Sequence, residues 1–365
     1  MKRPTNLVMR AGDRPETAMA PAHDRAHRDP RTSLLQPSIV AGRLAVLFTP
    51  VNASRTLSAM QNVVRLSVAA RLALVARDIK VSHSVFALPF ALLACYLAEA
   101  AAGRSPDAAT LLLIVLCMVM ARTVAMTMNR WADSHLDANN PRTAGRAIPS
   151  GQLTRPFMLA VAACCALGLV LAAAGFWFHR QNPWPVLLSP VVLAWLVGYS
   201  FTKRFTWLCH LSLGAALALS PLAAVLAVRP DYLGQAEPYL LAMMVMCWVA
   251  GFDVLYALQD VGSDRATGVL SIPASLGVTA ALWIAAALHL ISVAMLVMLL
   301  PAASGILDVG FATVVLLVAV LLGIEHAVVW RTGTRHIHLT FFTLNGLISL
   351  LLGGLGIADA LGSIG

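Results

Sequence analysis

Charge is what this sequence has least of. Only 12% of its 365 residues are Asp, Glu, Lys or Arg, while 59% are hydrophobic. A soluble domain carries roughly twice that charge and about 45–50% apolar residues. So little charge cannot cover one aqueous fold, and a soluble enzyme is excluded. The six cysteines, Cys95, Cys117, Cys164, Cys165, Cys209 and Cys247, lie in apolar runs without CxxC spacing or a Cys/His cluster. Neither disulfides nor zinc are indicated, and the thiols read as small core residues. His83, His210, His289, His326, His336 and His338 show no ligand spacing except between His336 and His338, which read as an interfacial loop feature.

The charge that is present is lopsided. Residues 1–80 hold 13 basic and 5 acidic side chains, whereas residues 81–365 hold 13 and 12. A basic start suits nucleic acid or the anionic face of a bilayer. The oily body behind it selects the membrane, and no nucleic-acid partner is expected. Residues 1–60 mix Arg, Pro, Asp, Ser and Thr without a sustained period and are expected to be disordered. The division is therefore a basic N-terminal extension at 1–70 and a transmembrane domain at 71–365. The apolar stretch 39–51 is interrupted by Gly42, Arg43 and Pro50, too short to span and without a signal-peptide cleavage pattern. Met60 reads as an alternative start.

A bilayer core of about 30 Å takes about 20 apolar residues in a helix. Nine such runs occur, near 84–102, 109–128, 157–178, 185–201, 208–227, 238–256, 277–300, 309–330 and 340–358. With the N-terminus inside, the inner connections carry Arg130, Arg142, Arg146, Arg155, Lys203, Arg204, Arg265, Arg331 and Arg335. The outer ones carry only Arg104, Arg180 and Arg229. That asymmetry predicts a multi-pass protein with a cytoplasmic N-terminus.

Two short segments gather the acids. Asn129, Asp133 and Asp137 are spaced by four, which advances only about 40° per step around a helix. Asp253, Tyr256, Asp260 and Asp264 likewise fall on one helical face. Stacked carboxylates at a membrane boundary are costly unless cations neutralise them. All-oxygen donors without sulfur or paired His point to Mg²⁺, which favours phosphate oxygens, so two facing acidic patches would clamp a diphosphate. Arg130, Arg142, Arg146, Lys203 and Arg204 stand beside the acids, as a diphosphate site requires. Arg122, seven residues before Asn129 in an apolar helix, is a further functional candidate.

The NxxxDxxxD segment and the DxxYxxxDxxxD segment, in this order and about 120 residues apart, resemble the paired motifs of the UbiA superfamily of intramembrane aromatic prenyltransferases. Asn139-Asn140-Pro141-Arg142-Thr143, Arg146-Ala147-Ile148-Pro149-Ser150-Gly151, the run from Tyr199 to Thr206, and Ser271-Ile272-Pro273-Ala274 are similar to the 4-hydroxybenzoate polyprenyltransferase branch. The NPRT and YALQD forms also resemble bacterial members tied to the futalosine route to menaquinone, whose acceptor is a dihydroxynaphthoate. The resemblance implies an all-α integral membrane protein of nine transmembrane helices around a central cavity, in a bacterial inner membrane. It implies that Asp133, Asp137, Asp260 and Asp264 are catalytic and bind Mg²⁺, and that Asn129, Arg130, Arg142, Arg146, Lys203 and Arg204 hold the diphosphate. Arg122, Asp253 and Tyr256 would face the acceptor and cavity.

The expected partners are a polyprenyl diphosphate, an aromatic acid and membrane lipid. The expected reaction ionises the allylic diphosphate in a cavity that excludes water, with Tyr256 or Trp131 stabilising the cation, before the ring attacks. A cation-coupled transporter is the alternative from another class. A CDP-alcohol phosphotransferase is disfavoured because no DGxxAR pattern occurs.

Overall fold

Each apolar run becomes a helix because a backbone in lipid must satisfy its own hydrogen bonds. The computed structural model describes residues 66–80, 86–337 and 339–364. The expected disorder at 1–60, His83 and His338 lie outside these residues. The helices are α1 (Val68–Asp78), α2 (Leu88–Ala100), α3 (Ala108–Ala138), α4 (Arg155–Arg180), α5 (Trp184–Thr202) and α6 (Cys209–Val228). They continue with α7 (Glu237–Ala257), α8 (Val261–Thr267), α9 (Ile272–Leu276), α10 (Val278–Ala302), α11 (Val309–Thr332) and α12 (Asn345–Gly362). Starts follow local chemistry. Ser67 accepts from the Ala70 amide, Asp107 from Thr110, Thr154 from Phe157, and Ser271 from Ala274.

All nine expected runs hold a helix. Among the described residues, eight helical spans are long and apolar enough to cross a membrane, while α2 has only 13 residues. Two boundaries differ from the hydropathy reading. The run near 109–128 continues as helix to Ala138, so the helix expected for the first acidic motif is an unbroken extension of that span. The second motif is not one continuous helix. A 3₁₀ turn at Leu258–Asp260 separates α7 from α8 and shifts the register between Asp253 and Asp264.

Helix α7 is the central element. Two-thirds (67%) of its most apolar window is buried, against 22% for α4 and α5, which therefore present most of their surface to lipid. Its main neighbours are α6 and α10, and α2 packs between α6 and α12. Phe90, Trp248 and Phe252 meet edge to face at 5.1–5.4 Å in this core. Exposed Trp177, Phe178 and Trp184 lie at one end of the bundle, and Trp207, Trp283 and Trp330 at the other, as interfacial aromatic belts do.

The end away from the acidic motifs is closed by an ion cluster. Glu99, 1% exposed, takes Arg180 and, at 3.1 Å, Arg104, while the Arg180 guanidinium also reaches Asp107, Thr110 and the Val228 carbonyl. The Asp107 carboxyl is held below the usual range: partial burial opposes ionisation, but hydrogen bonds from Thr110 and His179 outweigh it. The three arginines expected on the outer side, Arg104, Arg180 and Arg229, all sit at this end, and each has an acidic partner. A second buried polar network crosses the bundle. His289 Nδ1 is 3.0 Å from His326 Nε2, the Trp248 indole donates to Asn345 Oδ1 at 2.8 Å, and Asn345 donates to Glu325 at 3.0 Å.

The α6/α7 contact depends on a missing side chain. A Cβ on Gly214 would stand 2.3 Å from the Met246 carbonyl oxygen, whereas one on Gly198 would meet nothing within 4 Å. Gly214→Ala is expected to cost about 1–3 kcal/mol through overpacking. Gly198→Ala is expected to be neutral or to gain up to about 1 kcal/mol. Thermal midpoints in detergent would show it: a drop for the first and none for the second, with equal midpoints contradicting the close approach.

Candidate active site

The acidic motifs open onto a single cavity of about 990 Å³ whose lining includes every acid of both motifs. Its walls come from the C-terminal turns of α3, α5 and α7, the start of α6, the 139–154 loop and the segment after α1. The four-residue spacing on α3 puts Asn129, Asp133 and Asp137 on the cavity face.

Each acid has a different polar partner. Asp133, 2% exposed, accepts Lys203 Nζ at 2.5 Å on Oδ2, and its Oδ1 is buried without a partner. Asp137 accepts Arg146 at 2.6 Å on Oδ1, and its Oδ2 is likewise buried and unpartnered. Across the cavity, Asp260 Oδ1 accepts Asn140 at 2.8 Å and Arg142 Nε at 2.9 Å, and Arg142 Nη2 closes a fork onto Oδ2. Asp264 accepts the Ser271 hydroxyl at 2.7 Å. One helical turn apart, the two acids meet different elements: Asp260 the NPRT loop and Asp264 the α9 cap.

Most of the expected basic residues converge. Arg130 is buried 3.7 Å from Asp78, and its Nη1 donates to Asn129 at 3.2 Å. Arg142 Nη1 donates to the Tyr256 hydroxyl at 3.1 Å. Half-burial works against charge on Arg142, but the hydrogen bonds and charge of Asp260 more than offset it, and its pKa is raised. Arg122 lines the cavity and donates to the Ile79 and Lys80 carbonyls at 3.3 and 3.0 Å, leaving Nε buried and unpartnered. Arg204 corrects the expectation. It is exposed, donates at 2.6 Å to the Ala132 carbonyl inside α3, and is not among the residues lining the cavity.

Several lining residues escaped the sequence reading. Asp78 pairs Arg130 and accepts the Ala147 amide at 3.1 Å, tying α1 to the NPRT loop. His210 meets Asp253 at 2.6 Å. Lys80 stands in the left-handed region at φ 50°, with its ammonium 4.5 Å from the Phe342 ring centroid. Phe342 lies on a π-helical segment, Leu339–Leu344, and meets Tyr256 edge to face at 6.4 Å. No periodicity marks these positions. Only the proximity of Asn140 to Arg142 in the sequence hinted at one of the missing partners.

The donor set can be tested against a divalent cation. Among the described residues, no three of His, Cys, Asp and Glu converge closely enough to hold a metal alone. Two buried carboxylate oxygens nevertheless stand free one helical turn apart. That fits Mg²⁺, which takes one or two carboxylates and completes its shell with phosphate oxygens and water.

An all-helical, membrane-crossing bundle with acids and bases facing across one buried cavity defines a class of intramembrane protein. Residues 87–347 match the model of the UbiA prenyltransferase family, and the chain belongs to that family. It is similar to the 4-hydroxybenzoate octaprenyltransferases of Shewanella sediminis, 33% identical over 174 residues, and Pectobacterium atrosepticum, 31% identical over 174 residues. Each match covers 47% of this chain and 57% of the relative, so the chain spans little more than half the length of these curated relatives. Among solved structures, the apo UbiA homolog of Aeropyrum pernix K1 aligns with TM-score 0.68 and 29% identity, over 76% of this chain and 98% of that one. The UbiA homolog of Archaeoglobus fulgidus bound to DMAPP and Mg²⁺ shares the fold at TM-score 0.60 and 16% identity, over 79% of this chain and 99% of its own.

The Lys80 ammonium is destabilised first by desolvation and then by Arg130, Arg146 and Arg142, so its pKa falls below the ordinary 10.5. At a given alkaline pH it therefore keeps a larger uncharged fraction than a free lysine. Acylation followed by peptide mass spectrometry should show its reactivity rising at lower pH than that of a lysine in a short peptide. A midpoint at or above the peptide's would contradict this environment.

Proposed function

We propose that this chain transfers a polyprenyl group from a polyprenyl diphosphate to an aromatic acid, most simply to the 3-position of 4-hydroxybenzoate. The observation that carries the reading is the pair of buried, unpartnered oxygens on Asp133 and Asp137 opposite the Arg142-clamped Asp260. Buried carboxylates with spare oxygens beside a cluster of bases suit a ligand that brings both cations and phosphate. The named activity of the octaprenyltransferase relatives supports the same chemistry.

On this reading Asp133, Asp137, Asp260 and Asp264 hold Mg²⁺, with Asn129 supporting them. Bound Mg²⁺ supplies positive charge to the leaving diphosphate. Arg142, Arg146, Lys203 and Arg130 bind phosphate oxygens and hold the diphosphate in place. The apolar upper wall, with Leu213, Leu217 and Val249, excludes water from the allylic carbon, and the faces of Tyr256 and Phe342 stabilise positive charge there. Arg122, with a spare donor in the cavity, takes the acceptor carboxylate. We place the catalytic unit at 71–365 of a multi-pass bacterial inner-membrane protein, with a basic N-terminal extension and the Asp motifs facing the cytoplasm. Transport by the same acids is less favoured, because they gather at one end of the bundle rather than at its middle.

Asp133→Asn and Asp260→Asn should each lower turnover by about 100-fold or more while the protein stays in the membrane. The assay offers membranes a polyprenyl diphosphate, Mg²⁺ and, in parallel, 4-hydroxybenzoate and 1,4-dihydroxy-6-naphthoate, with products identified by mass. Prenylated 4-hydroxybenzoate supports the reading; product from the naphthoate alone moves the acceptor. Full activity in either variant overturns the site assignment.

A further inference from the structure

His210 is 3% exposed, one residue into α6, and lines the cavity. Its Nε2 accepts the Ile272 amide at 3.3 Å. An N–H aimed at Nε2 leaves no room for a proton there, so the ring's proton sits on Nδ1 and is donated to Asp253 Oδ2 at 2.6 Å. The backbone thus selects one tautomer, and that tautomer in turn fixes one carboxylate.

The Ile272 amide belongs to a short strap, residues 269–272, that is stitched to three elements. The Leu270 amide donates to the Lys203 carbonyl at 2.8 Å, the Cys209 thiol to the Leu270 carbonyl at 3.4 Å, and the Ser271 hydroxyl to Asp264 at 2.7 Å. Lys203 is in turn the partner of Asp133. One strap therefore sets the relative positions of Asp133, Asp264 and, through His210, Asp253. Asp253, like Asp264, has no arginine or lysine partner within salt-bridge distance; its charged-group partner is His210, and its side chain keeps 26% exposure toward the cavity it lines.

Resting on the function proposed above, we infer that His210 is a positioning residue that presents Asp253 to the phenolic hydroxyl of the acceptor. Asp253 takes the hydroxyl proton as the ring carbon forms its bond to the allylic carbon, whose bond to oxygen breaks with the electron pair leaving on the diphosphate. The neutral dienone then loses its ring C–H proton to the released diphosphate, and Asp253 returns its proton to the oxygen, restoring the phenol. The acceptor class is set by this step. It needs a hydroxyl conjugated to the attacked carbon, which 4-hydroxybenzoate and a dihydroxynaphthoate both possess.

The test separates positioning from packing. His210→Phe fills the space but cannot donate, and should lower kcat/KM for the acceptor by about 10- to 100-fold, the worth of a hydrogen bond to a charged group, leaving KM for the prenyl diphosphate unchanged. His210→Asn, whose amide N–H can stand in for Nδ1–H, should recover most of that loss. The double variant with Asp253→Asn should be no slower than Asp253→Asn alone, because both act through one carboxylate. Additive losses, an Asn variant as slow as the Phe variant at unchanged thermal midpoint, or a changed prenyl diphosphate KM would each overturn the inference. If the wild-type chain prenylates no phenolic acceptor at all, the function itself falls and the role of His210 with it, an outcome distinct from a working enzyme indifferent to His210.

Discussion

Negative charge held at the edge of a low-dielectric bundle is the constraint around which the rest of this molecule is arranged. An isolated carboxylate there carries a desolvation cost of several kcal/mol, and removing one partner of a buried pair typically costs about 3–5 kcal/mol. The acids of both motifs and Glu99 at the opposite end are accordingly met by a guanidinium, an ammonium, an imidazole or a hydroxyl. The two ends answer the same cost differently. At the Glu99 end the charges are saturated and the bundle is closed, which suits a structural clamp. At the motif end, Asp133 and Asp137 each keep a buried oxygen without a partner, which suits a site that completes itself with a ligand.

Three local departures from regular structure border the cavity: the left-handed backbone of Lys80, the 3₁₀ turn at Leu258–Asp260 and the π-helical segment around Phe342. Each re-aims a side chain that a continuous helix would direct elsewhere. Strained or irregular backbone persists where surrounding structure over-determines it, and such places are often functional. The strap at 269–272, which also borders the cavity, is itself held by five hydrogen bonds, to Lys203, Cys209, His210 and twice to Asp264.

Much of the fold was legible before any coordinate was known. Apolar runs of span length are a direct consequence of bilayer thickness, and all nine appear as helices close to where hydropathy puts them. The limits of that reading are equally physical. Hydropathy ends a span where polar residues begin, so it stopped at 128; the four-residue spacing of Asn129, Asp133 and Asp137 indicated the helix, but not that it is the same unbroken α3. Ideal helical periodicity put Asp253, Tyr256, Asp260 and Asp264 on one face, and all four line the cavity although a 3₁₀ turn intervenes; the partners they meet in the NPRT loop and the α9 cap lie in no one window of sequence.

Sequence alone determined which residue types gather at which end of which helix, because charge patterning and four-residue spacing are local properties. Asn129, Asp133 and Asp137 could be placed on one face without knowing what they face. Only the tertiary structure decided the pairings: Lys203 with Asp133, Arg146 with Asp137, Arg142 with Asp260, His210 with Asp253. It also removed Arg204 from the cavity and brought in Lys80, Asp78 and Phe342. The reason is separation along the chain. Asp260 and Arg142 stand 118 residues apart and Asp133 and Lys203 70 apart, and a contact across such distances is made by the packing of whole helices rather than by anything either segment encodes by itself.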